Sequence, residues 1–238
     1  MSGAFFLGQI SGSFFKNRSH PTCESRNGFC PDWIVHHIGD YVSPTVRHFE
    51  LTVTAVACGF LIAFVLGVAA HRQRWLVAPI TGVTGILYTV PSLAFFAILI
   101  PITGFGFVTA TIALTSYTLL ILFRNIVAGL DNVPEEARDA ARGMGMERDQ
   151  MLWRVELPLA LPEIVAGLRI ATTTTVGLAT LAFFAGAGGL GAKINSDIAF
   201  KSNIVLGGAL CLLLASAFDL IFVGLQRLLV PWQRAARA

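Results

Sequence analysis

The chain has 238 residues, 55% of them hydrophobic and only 13% charged, with a net charge of +3 and a mean hydropathy of +0.69. A soluble globular domain carries about 25% charged residues, so this composition belongs to an integral membrane protein. A balance of +3 is too small to point to a nucleic-acid partner.

Residues 1–48 read as an external or interfacial segment. Met1 to Phe15 has neither a basic start nor a long apolar core, so it is not expected to be a secretory signal. Cys23 and Cys30 lie in this polar stretch and either form a disulfide closing a small loop or remain two thiols. Cys58 and Cys211 fall in apolar runs and read as small buried hydrophobes. Combined with His20, His36, His37 or His48, the N-terminal cysteines match no standard zinc spacing, so no metal site is expected.

Five apolar runs follow, each near the length of about 20 residues that a spanning helix needs. They are Leu51–Ala70, Leu76–Ile102 with a kink or break at Pro91, Phe105–Ala128, Ile164–Phe184 behind Pro162, and Ile204–Leu229. Arginines after the first span (Arg72, Arg74), in the loop after the third, and after the fifth (Arg227, Arg234, Arg237) mark the cytoplasmic side. Five spans place all three groups on that side, with the N-terminus outside and the C-terminus inside. The predicted organisation is an all-α membrane-spanning body over 49–230, a cytoplasmic loop over 131–158 and a tail over 231–238.

The loop from Asp131 to Pro158 holds eleven of the 31 charged side chains. Pro134 fits the first turn of a helix, with Glu135 and Glu136 at its positive end. Ala137, Ala140, Ala141 and Met144 share one small, flat face at helical spacing, and Asp139 can reach Arg142. Gly143 and Gly145 end this helix. A second short helix, Glu147–Val155, is predicted to stop at Pro158 and Pro162. A small-residue face of this kind suits docking into a groove.

Gly186-Ala-Gly-Gly-Leu-Gly191 satisfies a dinucleotide pattern formally, but no βαβ unit surrounds it. It reads as a glycine hinge where backbones approach closely, and the chain carries no nucleotide motif of its own. Asp219 sits within the fifth span about two turns before Arg227; an acid at that depth is either functional or a structural ion pair with Arg227, Arg169 or Arg124. Arg124 and Asn125 are placed to brace the loop. Thr172–Thr175 either bend the fourth span by bonding back to it or face a water-filled path. Tyr88, Pro91, Ser92, Thr173, Gly188 and Gly189 are the candidate path residues.

The charged loop resembles the EAA loop of binding-protein-dependent ABC importer permeases. Asp139, Ala140, Ala141, Gly145, Val155, Leu157 and Pro158 stand at the motif positions with the spacing kept, Asp139 replacing Glu and Val155 replacing Ile. Across residues 45–230 the segments VPSLAFFAILIPITGFG, LFRNIVAGL and GAGGLG look like the osmoprotectant subgroup, which imports glycine betaine, choline or carnitine. The resemblance implies a methionine-permease-like fold and coupling residues at the motif positions and Gly143. It also implies two ATPase subunits holding ATP and magnesium, a second permease (itself or a paralogue) and an external binding protein. No cofactor and no catalysis would belong to this chain. The alternatives are a permease for an amino acid or related solute, and an ion-coupled secondary transporter using Asp219. A membrane enzyme lacks any convergent set of His, Ser or carboxylate groups.

Overall fold

The computed structural model describes Cys23 and residues 28–229. The expectations for residues 1–22 and for Arg234 and Arg237 lie outside them. The described elements are helical, with no strand among them.

α1 (Pro31–His37) leads through a 3-10 turn into α2 (Val42–Arg72). The first long helix thus begins ahead of the expected boundary at residue 49. A 3-10 turn at Arg74–Leu76 leads into α3 (Val77–Thr89) and α4 (Ser92–Thr103), which are bent by 96°. α5 (Phe107–Asp131) carries the chain to the charged loop, α6 (Glu135–Gly143) and α7 (Arg148–Met151). A π-helical turn, Leu152–Glu156, joins α7 to α8 (Leu157–Ala179). After a 3-10 turn at Ala182–Ala185 come α9 (Gly189–Ser196) and α10 (Lys201–Leu229).

The predicted kink at Pro91 is a full break. Val90 and Pro91 adopt extended backbone, as proline disfavours helical geometry in the residue before it. The Tyr117 hydroxyl of α5 donates to the Val90 carbonyl at 2.6 Å and satisfies the acceptor that the break exposes. The bent pair nonetheless crosses the molecule. Arg74 pairs with Asp131 at the charged-loop end, while the Gly106 amide donates to the Ala185 carbonyl at 2.6 Å at the opposite end.

Pro158 and Pro162 do not stop the chain as expected. The helix runs without interruption from Arg148 through the π turn into α8, with Pro158 in its first turn and Pro162 inside it. Proline's ring crowds the carbonyl four residues earlier. For Pro158 that residue is Arg154, which lies in the π turn, where wider bonding shifts the register.

α2 and α5 form the most extensive helix pair. Ala55, Gly59, Ala63 and Gly67 recur every fourth residue and are all buried. A Cβ on Gly59 would stand 1.8 Å from Thr118 Oγ1, and one on Gly67 2.5 Å from Ile126 Cγ2. Small residues let the backbones approach where dispersion rather than water exclusion drives association. One buried cluster lies toward the charged loop, around Leu122, Phe123, Ile126, Leu152 and Ala160. A second lies toward the other end, around Leu51, Phe96, Leu114 and Ala182.

Among the described residues, three continuous helical stretches are long and apolar enough to cross a membrane: Pro31–Arg72, α5 and α10. The bent α3–α4 pair makes a fourth. α8, the expected fourth span, does not meet that test, since Glu163, Arg169 and four threonines lower its hydropathy. It packs antiparallel to α5 inside the bundle.

Candidate coupling and translocation sites

α6 starts where the sequence requires. Pro134 is the N-cap, and Glu135 and Glu136 fill the first turn, opposite the unpaired amide ends of the helix. Its end is a Schellman turn: Gly145 has φ +76°, the Gly145 amide donates to the Arg142 carbonyl at 2.9 Å, and the Met146 amide to the Ala141 carbonyl at 3.1 Å. Gly145 rather than Gly143 supplies the left-handed residue. α7 opens with a reciprocal capping box between Glu147 and Gln150.

The predicted alanine face splits in two. Ala141 is fully buried against the body of the protein and Ala137 is half-buried, whereas Ala140 and Met144 are exposed. Glu136, Ala140 and Met144 are therefore among the exposed residues available to a partner, and Ala141 is an internal packing residue. The spacing did not distinguish these faces, because alanine is compatible with either. Asp139 bonds Arg142 at 2.8 Å as expected, and Arg142 also bonds Glu135 at 2.9 Å. Hydrogen bonds from Arg138, then Arg142, hold the Glu135 carboxyl below its usual value.

Sequence reasoning missed the residues that fasten this helix to the spans. Glu156, 3% exposed, accepts from Arg138 Nε at 2.8 Å and pairs with His71 Nε2 at 2.9 Å. The same Arg138 guanidinium bonds the Leu130 carbonyl at 2.7 Å and Glu135 at 3.1 Å. One network therefore ties α6 to the ends of α2, α5 and α8. Its signal in the sequence was a lone acid, Glu156, enclosed by Leu152, Val155 and Leu157. Val155 and Pro158 are half-buried and Leu157 is buried. Arg72–Asp149 at 2.7 Å and Arg74–Asp131 close the same end, around a cleft of about 480 Å³. Arg124 is exposed, and Asn125 packs against Gly167, where a Cβ would lie 2.5 Å from its own. This contact braces α5 against α8.

At the opposite end, Gly186, Gly188 and Gly189 all have positive φ, near +71°, +80° and +81°. A Cβ on Gly191 would meet the Thr180 carbonyl oxygen at 1.7 Å, so the glycine run is a close-approach hinge as expected. Arg47 donates to the Ala187 carbonyl at 3.2 Å and lies 4.3 Å over the Phe107 ring. His48 Nε2 contacts the Val176 carbonyl at 3.0 Å and ties α2 to α8. An open cavity of about 610 Å³ is lined by Ser43, Arg47, Gly188, Gly189 and Lys193. Cys23 and Cys30 are joined by a disulfide, with a Cα–Cα distance of 5.9 Å. The Cys30 amide donates to Ser202 Oγ at 2.7 Å, which anchors this end of the chain on α10.

The six candidate path residues do not converge. Gly188 and Gly189 line the open cavity; Tyr88 packs edge-on to Tyr117 at 6.1 Å, beside the break at Pro91 and Ser92; Thr173 lies on α8. Thr172, Thr173 and Thr175 all bond back to carbonyls four residues earlier, at 2.7 to 2.9 Å. Asp219 pairs with Arg169 rather than Arg227: Arg169 Nε and Nη2 reach its two oxygens at 2.8 and 3.0 Å. Sequence distance favoured Arg227 on the same helix, but the packing of α8 against α10 brings Arg169 in range.

The described residues thus form a helical membrane body with a broken span, a glycine hinge at one end and an anchored loop helix at the other. Residues 55–235 match the family model described as binding-protein-dependent transport system inner membrane component, and the chain belongs to that family. It is similar to the osmoprotectant import permease protein OsmW of Salmonella typhimurium, 36% identical over 84% of this chain and 96% of that one. It also resembles the choline transport system permease protein OpuBB of Bacillus subtilis, 36% identical over 83% and 95%. In fold it matches an inward-facing structure of the MetNI methionine ABC transporter, with a TM-score of 0.67, 22% identity and coverage of 79% of this chain and 94% of that one. The chain is therefore a multi-pass inner-membrane permease.

Proposed function

We propose that this chain is the permease subunit of an ATP-driven importer of osmoprotectants such as glycine betaine, choline or carnitine. The single observation carrying the coupling half of this reading is the loop helix α6, which presents Glu136, Ala140 and Met144 outward while Arg138 and Glu156 lock it to three long helices. Two ATPase subunits, holding ATP and magnesium, dock on such helices from the cytoplasm. Their closure moves α6, and the network passes that movement to α2, α5 and α8. A second permease, itself or a paralogue, completes the path, and an external binding protein delivers the solute. This chain binds no cofactor and performs no hydrolysis.

The orientation that fits places α6 and the C-terminus in the cytoplasm and the disulfide-bearing N-terminal segment outside, where a disulfide persists. The osmoprotectant assignment is supported by the relatives named for osmoprotectant and choline transport. A secondary transporter built on Asp219 is disfavoured by the two hydrogen bonds that Arg169 already makes to that carboxylate.

The test is uptake of radiolabelled glycine betaine and choline by cells with and without this chain, repeated with the ATPase inactivated. Loss of uptake in both cases is expected. Uptake that needs the chain but not the ATPase would overturn the ATP-driven reading, and uptake indifferent to the chain would overturn the choice of solute.

A further inference from the structure

The Arg169–Asp219 pair stands where a charge is expensive. Along α8, Arg169 is about 18 Å from the helix start at Leu157, and along α10, Asp219 is about 15 Å from the end at Leu229. Each therefore lies several turns inside a long helix rather than at its end. Yet their side chains are 34% and 37% exposed. Charged groups at that depth face a protein interior or water rather than lipid.

The surroundings separate the two helices. On α8 the residues that share the uncovered face with Arg169 are Ile170, 51% exposed, and then Thr173, Thr174, Gly177 and Thr180, so that beyond Ile170 the face is small or polar for about two turns. On α10 the strongly exposed residues include Leu212, Leu213, Leu220, Ile221 and Leu228. A lipid-facing helix would carry the second composition, and α8 carries the first. Of the polar residues that lower the hydropathy of α8, Arg169, Thr173 and Thr174 lie on the face that the bundle leaves open, whereas Thr172 and Thr175 are buried.

We propose that this face of α8 lines the water-filled translocation path, and that the Arg169–Asp219 pair is a charged element of its wall, met by the passing solute. The pair presents a fixed cation beside a fixed anion, which suits a small zwitterionic or cationic solute and would repel neither end of a betaine. The statement about the solute rests on the osmoprotectant reading; the statement about water does not.

The test is thiol labelling in the complete transporter with its partner subunits, in membranes, with Cys58→Ser and Cys211→Ser removing the free thiols. Single cysteines at Thr173 and Gly177 are compared with Leu213 and Leu220, using a charged, membrane-impermeant methanethiosulfonate applied from either side. A Cβ on Gly177 meets nothing within 4 Å, so Gly177→Cys fits if Thr173→Cys accumulates poorly. Labelling at Thr173 or Gly177 at least about tenfold faster than at Leu213 and Leu220 is expected, because a thiol reacts as the hydrated thiolate. Equal slow rates at all four positions would overturn the proposal, and would mean that a dry contact covers this face. The readout needs no solute, so it stands apart from the choice of substrate.

Discussion

Two neighbouring alanines in the loop illustrate how a single position decides a role. Ala140 faces outward and Ala141 is fully buried. Replacing Ala141 with Glu places a carboxylate in a packed site with no partner, so loss of folded protein from the membrane is expected, measured as detergent-extracted yield and melting temperature. Glu156 is the other residue whose loss is structural. Glu156→Ala leaves Arg138 and His71 without their shared acceptor, at a cost of about 3 kcal/mol. A thermal melt of the purified chain checks this, and an unchanged Tm would mean that the network contributes nothing. The motif positions were legible because their spacing is long and specific. Arg138, His71 and Glu156 were not, because the first and last are 18 residues apart and the middle one belongs to another helix, and only folding brings them together.

At the scale of elements, the sequence marked starts and turns more reliably than continuations. Pro134 with two following acids, and Gly145, bound α6 where local chemistry demands. Pro158 and Pro162 suggested a stop that the π turn removes, since wider hydrogen bonding at Leu152–Glu156 lets the helix absorb its missing donors. Pro91 produced a full break because its effect on Val90 is reinforced by a distant hydroxyl, that of Tyr117. The stripe Ala55, Gly59, Ala63 and Gly67 lay unremarked in an apolar run, and its meaning comes from α5 against it. Gly59→Leu forces α2 away from Thr118 and is expected to destabilise the chain by about 1–3 kcal/mol, as overpacking does; the same melt measures it.

For the whole molecule, composition and the positions of arginines sufficed for a helical membrane body, and a resemblance in one loop sufficed for the family. The count of spans was harder, because one crossing is bent by 96° and another hides polar residues on its open face. The two departures from plain apolar helices are the break with extended backbone at Val90 and Pro91, and the face of α8 that carries Arg169, Thr173 and Thr174. The charged-loop end is held by a buried network of ion pairs around Glu156, whereas the opposite end is held by the Cys23–Cys30 disulfide, side-chain bonds from Arg47, His48 and Ser202, and close glycine contacts. This account predicts no ATPase activity for the isolated chain and solute-stimulated hydrolysis once the ATPase is added.

The most direct test of the coupling claim is the Ala140→Glu variant, whose change lies on the exposed face and leaves the packed side of α6 intact. Uptake of radiolabelled glycine betaine and ATP hydrolysis are measured together in membranes containing all subunits. Uptake at least about tenfold below the unmodified chain, with normal amounts of the variant in the membrane, is the predicted result. Full uptake by a normally accumulated variant would contradict the docking of α6 on the ATPase, and with it the account of how this protein is driven.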